Sequence, residues 1–175
     1  MVWIAMRAEG WGCIYTQNLH LPELSVFIPH VFESQFFKIK TEKNKFLIVG
    51  NIYRPNSAPF ADVKRSNTLL NEIIENIKSK PDYRNAKEYF ICGYLNIDLL
   101  KYETHQDTCS YLDTLLLNGL LPLVTLPTRI SNHSATIIDH ISTKIHDDQY
   151  DTGIIVTDIS DHFPIFYIQH SKNKK

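Results

Sequence analysis

Phe90-Ile91-Cys92-Gly93-Tyr94-Leu95-Asn96 is the stretch on which the fold turns. Glu88 to Cys92 is a short apolar run of the kind that makes a core strand, and Gly93-Tyr94-Leu95-Asn96 is the turn that ends it. Upstream, Phe46 to Tyr53 is apolar and β-branched, which reads as a strand buried on both faces. Ser34 to Lys40 alternates, with Phe37 and Ile39 on one face and Phe36 and Lys38 on the other. The polar turn Thr41-Glu42-Lys43-Asn44-Lys45 joins these two segments into a hairpin.

Between the buried strands, the segment from about Phe60 to Ser79 sets Leu69, Leu70, Ile73, Ile74 and Ile77 on one helical face, and Pro81 closes it. Tyr111, Leu112, Leu115 and Leu116 mark a second amphipathic helix that stops at Asn118-Gly119. Gly12 to Tyr15 is a strand, and Leu24 to Val31, which carries Pro29, is at best a weak or edge strand. Leu121 to Leu126 is a short extended piece. Thr136 to Thr143, Gly153 to Thr157 and Phe163 to Ile168 read as strands. Strands this apolar cannot face water, so helices must cover them. Two sheets packed face to face with helices outside satisfy that need. A single doubly wound sheet is the competing architecture, and its Gly-rich first turn is absent.

The chain has 175 residues, enough for one domain with a sizeable core, and a net charge of −1 gives no global basic field to attract nucleic acid. Cys13, Cys92 and Cys109 have no CxxC spacing and read as reduced packing residues of an intracellular protein. No apolar run approaches the ~20 residues that cross a bilayer, and the start lacks the order of a signal peptide. The expected address is therefore the nucleus or cytoplasm. Residues 1–11 show no clean strand or helix pattern, and Gly12 starts abruptly as a strand, which points to truncation. The expected organisation is a non-matching segment over 1–11, a domain over 12–168 and a flexible tail over 169–175.

Four strand ends carry polar groups: Asn51-Ile52-Tyr53-Arg54-Pro55-Asn56, Gly93-Tyr94-Leu95-Asn96, Ile138-Asp139-His140 and Ser160-Asp161-His162-Phe163-Pro164. Each alone has a plain structural explanation: Ser160-Asp161 is ordinary turn chemistry, Tyr53 an ordinary strand aromatic, and Asn96 an ordinary turn residue. In order and residue type, however, the four resemble the endonuclease/exonuclease/phosphatase superfamily, the DNase I-like fold. More narrowly they resemble the endonuclease domain of non-LTR, LINE-like retrotransposons. Ile52-Tyr53-Arg54-Pro55, Asn96-Ile97-Asp98-Leu99-Leu100, Pro127-Thr128-Arg129-Ile130 and Ser160-Asp161-His162 carry that likeness, which runs from about Gly12 to Ile168.

The resemblance implies an α+β, DNase I-like four-layer α/β sandwich, incomplete at the N-terminus, whose ancestral reaction is Mg²⁺-dependent hydrolysis of DNA phosphodiesters. It implies that His162 faces the scissile phosphate and stabilises the charge building there, and that Asp139 accepts a hydrogen bond fixing the tautomer of that ring. Asn96, Tyr53 and Asn56 would contact phosphate oxygens, and Asp161 would lie near the metal. His140 is expected to be non-catalytic. His20, His30, His105, His133, His146 and His170 have no metal-ligand spacing. Arg54 and Arg129 read as loop arginines.

Two departures follow. The family's turn reads Gly-Asp-x-Asn, and its Asp is the general base; here that position is Tyr94. A phenol with an ordinary pKa near ~10 is neutral at pH 7 and cannot replace a carboxylate, and general-base help is typically worth ~10²–10⁴-fold. The family's metal-binding Glu and a phosphate-binding Asn precede the strand that begins near Gly12. Glu9 is the only acidic residue there, in surroundings that do not fit. Losing that Glu takes from Mg²⁺ a main ligand. The expectation is an impaired or inactive endonuclease-like domain. The alternatives are a non-catalytic module of the same fold that binds nucleic acid or protein and, less favoured, a phosphatase acting on smaller esters.

Overall fold

The computed structural model describes residues 2–6, 12–16, 23–28, 32–40, 46–55, 62–79, 86–144 and 150–170. The core of the chain is a six-stranded sheet. Its centre is β5 (Phe46–Tyr53) beside β6 (Ala86–Tyr94), joined in parallel by the crossover helix α1 (Asp62–Ser79). β4 (Phe32–Lys40) pairs antiparallel with β5 from Lys40 opposite Phe46, which is the expected hairpin. β3 (Glu23–Ile28) follows at the edge, as the proline in that segment predicts. On the other side of β6 lie β10 (Asp139–Thr143) and then β7 (Leu121–Pro122).

A four-stranded sheet packs against this one. It holds β1 (Val2–Met6), β2 (Gly12–Thr16), β11 (Tyr150–Ile154) and β12 (Ile165–Gln169) in the order β11-β12-β1-β2. A small hairpin, β8 (Arg129–Ser131) with β9 (Ser134–Thr136), stands apart from both sheets.

Period-two alternation divides the core into two layers. From β5, Ile48 and Ile52 face α1 and α2 (Gln106–Leu117), packing with Leu70, Ile73, Ile74, Ile77, Tyr111 and Leu115. Leu47 and Val49 face the second sheet and pack with Phe90, Cys92, Ile141, Ile165 and Tyr167. Burying each such side chain contributes roughly 1.5–3 kcal/mol. The chain is therefore a mixed α+β protein of two sheets with helices on the far side of the larger one. Among the described residues it has three layers. The expected fourth, helices outside the smaller sheet, is not among them. No helix among the described residues is long and apolar enough to cross a membrane.

Several expectations are corrected. Residues 1–11 show no clean strand pattern in sequence, yet Val2–Met6 is an inner strand paired with both β2 and β12. Its five residues are too few to separate a strand from an irregular apolar stretch by periodicity. β12 extends to Gln169, inside the expected tail, and residues 171–175 lie outside the described set. β6 runs on through Gly93 and Tyr94, so the turn begins at Leu95. The expected strand over Thr136–Thr143 is broken. The Ile137 and Ile138 carbonyls accept from Leu99 and Leu95 of the loop after β6, at 3.0 and 3.1 Å, instead of joining a ladder. The expected strand over Gly153–Thr157 ends at Ile154. Pro164, its next partner, has no N–H to give, and Val156 is 74% exposed.

Candidate active site

Asp139 and His140 are consecutive in a strand, so they point to opposite faces of the sheet. His140 goes to the helix side and is buried. Its Nε2–H donates to the Ile137 carbonyl at 3.1 Å, which leaves Nδ1 to accept from the Tyr111 hydroxyl at 3.0 Å. Burial pushes this imidazole below the usual histidine range, against the opposing pull of the Ile137 carbonyl. His140 is a satisfied core residue. A folded pKa below the unfolded value near ~6.5 means that the unfolded chain takes up this proton first, so stability is lost as pH falls below that value. The expected loss is up to about 1.4 kcal/mol per pH unit for this single proton. Urea midpoints at pH 7.5 and 5.5 measure it. His140→Gln should flatten the difference, and an undiminished acid-side loss in that variant would assign the effect to other groups.

Asp139 goes to the face between the sheets. It lies opposite Tyr94 in the β10–β6 register, while Tyr94 lies beside Tyr53 in the β5–β6 register. His162 arrives from the loop before β12, and its Nδ1–H donates to Asp139 Oδ2 at 2.9 Å. Both side chains are largely buried, at 11% and 4% exposure. The pair thus ties the second sheet to the first, and Nε2 of His162 is the nitrogen left for a further partner. The Tyr94 ring lies 5.5 Å from the His162 ring and 5.8 Å from the Tyr53 ring, centroid to centroid. The ring order is Tyr53, Tyr94, His162, with Tyr94 buried at 5% exposure.

The loop around this row is held by Thr128, a residue whose role the sequence did not disclose beyond its place in the Pro127-Thr128-Arg129-Ile130 phrase. Its Oγ1 accepts from the backbone N–H groups of Ile138 and Asp139, both at 3.1 Å. Its own N–H donates to the Thr136 carbonyl at 2.9 Å, and its carbonyl accepts from Phe163 N–H at 2.7 Å. One buried residue therefore fixes the backbone on both sides of the Asp139–His162 pair, with its hydroxyl on the Asp139 side and its own carbonyl on the His162 side. Thr128→Val keeps the shape and leaves two buried donors without an acceptor, at about 1–3 kcal/mol each. Chemical denaturation should register a loss of at least about 2 kcal/mol, and a loss under about 0.5 kcal/mol would show that Thr128 does not hold this loop.

The other expected site residues fare differently. Asn96 follows in the loop, half-buried, in the left-handed region at φ 51°, which asparagine tolerates better than most residues. Among the described residues its side chain makes no hydrogen bond. Asn56 lies outside the described residues. Asp161 is bonded to an arginine of the β8–β9 hairpin. Its Oδ2 accepts from Arg129 Nε at 2.7 Å, and that bond holds its carboxyl below the usual carboxylate range. This ion pair is about half exposed.

Mg²⁺ takes oxygen ligands, with carboxylates foremost. Asp139 is committed to His162, and Asp161 to Arg129. Among the described residues no cluster of three His, Cys, Asp or Glu side chains could hold a metal. Asp161, the expected metal neighbour, has one carboxylate oxygen bonded to the Arg129 guanidinium. These residues do not fit a Mg²⁺ site, and Glu9 lies outside the described set.

Two packed sheets with a His–Asp pair joining their ends can be compared with known structures. No family model matches the chain, and neither does any curated protein. The endonuclease/exonuclease/phosphatase of Beutenbergia cavernae superposes with a TM-score of 0.60 at 14% identity over 84% of this chain. The fold is that of the endonuclease/exonuclease/phosphatase proteins. This chain spans 45% of the B. cavernae protein, less than half its length. The endonuclease domain of TRAS1, a telomere-specific non-LTR retrotransposon, gives a TM-score of 0.58 at 16% identity, over 94% of this chain and 76% of that one. Truncated TDP2 from Caenorhabditis elegans gives 0.60 at 10% identity, over 91% and 70%. The DNase I-like architecture expected from the four sequence blocks is thus the observed one.

Proposed function

We propose that this chain derives from a retrotransposon endonuclease whose ancestral reaction was metal-dependent hydrolysis of DNA, and that its own hydrolysis is impaired. Tyr94 carries the reading. Its buried ring stands beside His162 and across from Asp139, at the end of β6, in the sequence position where the resembling family has its general-base carboxylate. A neutral phenol there takes no proton from an attacking water at pH 7. The Arg129–Asp161 bond supports the same reading, since a guanidinium competes with any cation for that carboxylate. The likeness to the TRAS1 domain over 94% of this chain, together with the four ordered blocks, supports the retrotransposon origin. His162, Asp139, Asn96, Tyr53 and Asn56 are then the remainder of a phosphodiester site.

The second reading is a binding module of the same fold, for which His162 Nε2 and the half-buried Tyr53 supply phosphate contacts. Anisotropy titration of a labelled DNA duplex, with and without Mg²⁺ and at two salt concentrations, tests both, with the same samples run on a denaturing gel. The expected result is weak, salt-sensitive binding with intact strands. Strand cleavage in the Mg²⁺ samples that is lost in His162→Ala would overturn the impaired reading. Intact strands with no binding at either salt concentration would overturn the binding module.

A further inference from the structure

On the helix side of the large sheet, away from Tyr94 and His162, lies a cavity of about 210 Å³. It opens between the last turns of α1, the segment just past α2 and the strands β5 and β6. Ile48, Ile74, Ile77, Ile91 and Leu120 form its walls, all of them buried. Lys78, Asn118 and Lys144 stand at its polar border, and among the described residues that line it none is acidic. Protein interiors keep few voids larger than a water, because wall atoms facing empty space lose their dispersion contacts. A dry apolar cavity of about 150 Å³ takes up benzene, so this one has room for a short alkyl chain or a substituted ring.

The border selects the head group. Lys78 Nζ donates to Asn118 Oδ1 at 2.7 Å and to Glu75 Oε1 at 3.1 Å. Lys144, just past the end of β10, is exposed and has no side-chain partner among the described residues. An apolar chamber whose rim carries the exposed Lys144 ammonium, the Glu75-paired Lys78 and an amide matches a molecule with an apolar body and one negative end. We infer that this cavity binds a small amphipathic anion, an alkyl or aryl carboxylate, with its body among Ile74, Ile77 and Leu120 and its carboxylate at Lys144 and Lys78. The inference is independent of the site at His162.

Octanoate and octylamine share a tail and differ in the sign of the head. Titrating each into the full chain, followed by methyl-group NMR and calorimetry, tests the assignment. Octanoate should shift the Ile74, Ile77 and Leu120 methyl signals and bind at least about ten-fold more tightly than octylamine. Lys144→Glu, a change at an exposed position, should weaken octanoate by about five-fold or more and narrow its advantage over the amine. Equal affinity for the two tails, an unchanged octanoate affinity in Lys144→Glu, or methyl signals unmoved at millimolar octanoate would each overturn it.

Discussion

Gly93→Ala should leave the chain unfolded or destabilised by more than about 4 kcal/mol, among the largest effects a single methyl group can have. Gly93 sits at φ 142°, a conformation that L side chains rarely adopt. Its backbone also passes close to β5. A Cβ at this position would overlap the Ile52 carbonyl oxygen and stand 2.7 Å from the Ile52 carbonyl carbon. Both obstacles are backbone, so no side-chain rotation relieves them. β5 and β6 are the central pair of the large sheet, and Tyr53 and Tyr94 lie next to each other immediately past this point of contact. Moving the strands apart would therefore disturb the aromatic row as well as the core. Circular dichroism with urea titration decides the matter. A cooperative transition within about 1 kcal/mol of the wild type would show that the strands can part more freely than this geometry allows.

Tyr94→Asp should fail to create an active enzyme and should cost about 3–5 kcal/mol of stability, the range for removing a large buried aromatic. The new carboxyl would face Asp139 directly across the ladder, where opposed Cβ atoms are only about 4.5–5.5 Å apart. Two buried carboxylates so close, with no metal ligand set among the described residues, oppose each other's ionisation. The new group would take a raised pKa in the folded state. Folding would then bind a proton, and the loss of stability should grow as pH rises above the ordinary aspartate value near ~3.9. Tyr94→Phe keeps the ring and should retain most of the wild-type stability. Denaturation midpoints at pH 5 and 8, with DNA nicking measured in parallel, test this. A Tyr94→Asp protein as stable as wild type that nicks DNA strongly with Mg²⁺ would mean that a working metal site exists beyond Asp139 and Asp161.

The large sheet was legible because its strands are apolar on both faces and its helices carry a clear one-sided pattern. Phe46–Tyr53 read as a two-faced buried strand and divides its residues between the two core layers. The site was legible through ordered blocks more than through any single motif, and Asp139 and His162 do meet. Elements with few residues were not legible. Val2–Met6 is too short for periodicity to decide, and its partners are distant in sequence. The β8–β9 hairpin is polar and three residues a side. Ile137 and Ile138 look like strand residues, yet their hydrogen bonds go to a loop, a choice made by tertiary contacts with the segment after β6. The Arg129–Asp161 bond joins residues 32 apart, and nothing local announces it. Thr128 gave no signal because a threonine that fixes two buried N–H groups looks like any other in a linear sequence.

Nicking of supercoiled DNA by the purified chain in Mg²⁺, compared with His162→Ala, tests the central claim most directly. On the proposed reading, in which Tyr94 replaces the family's general-base carboxylate, the two proteins should convert plasmid at the same background rate. Rapid Mg²⁺-dependent nicking by the wild type, abolished in His162→Ala, would contradict the account and mean that another group takes the proton.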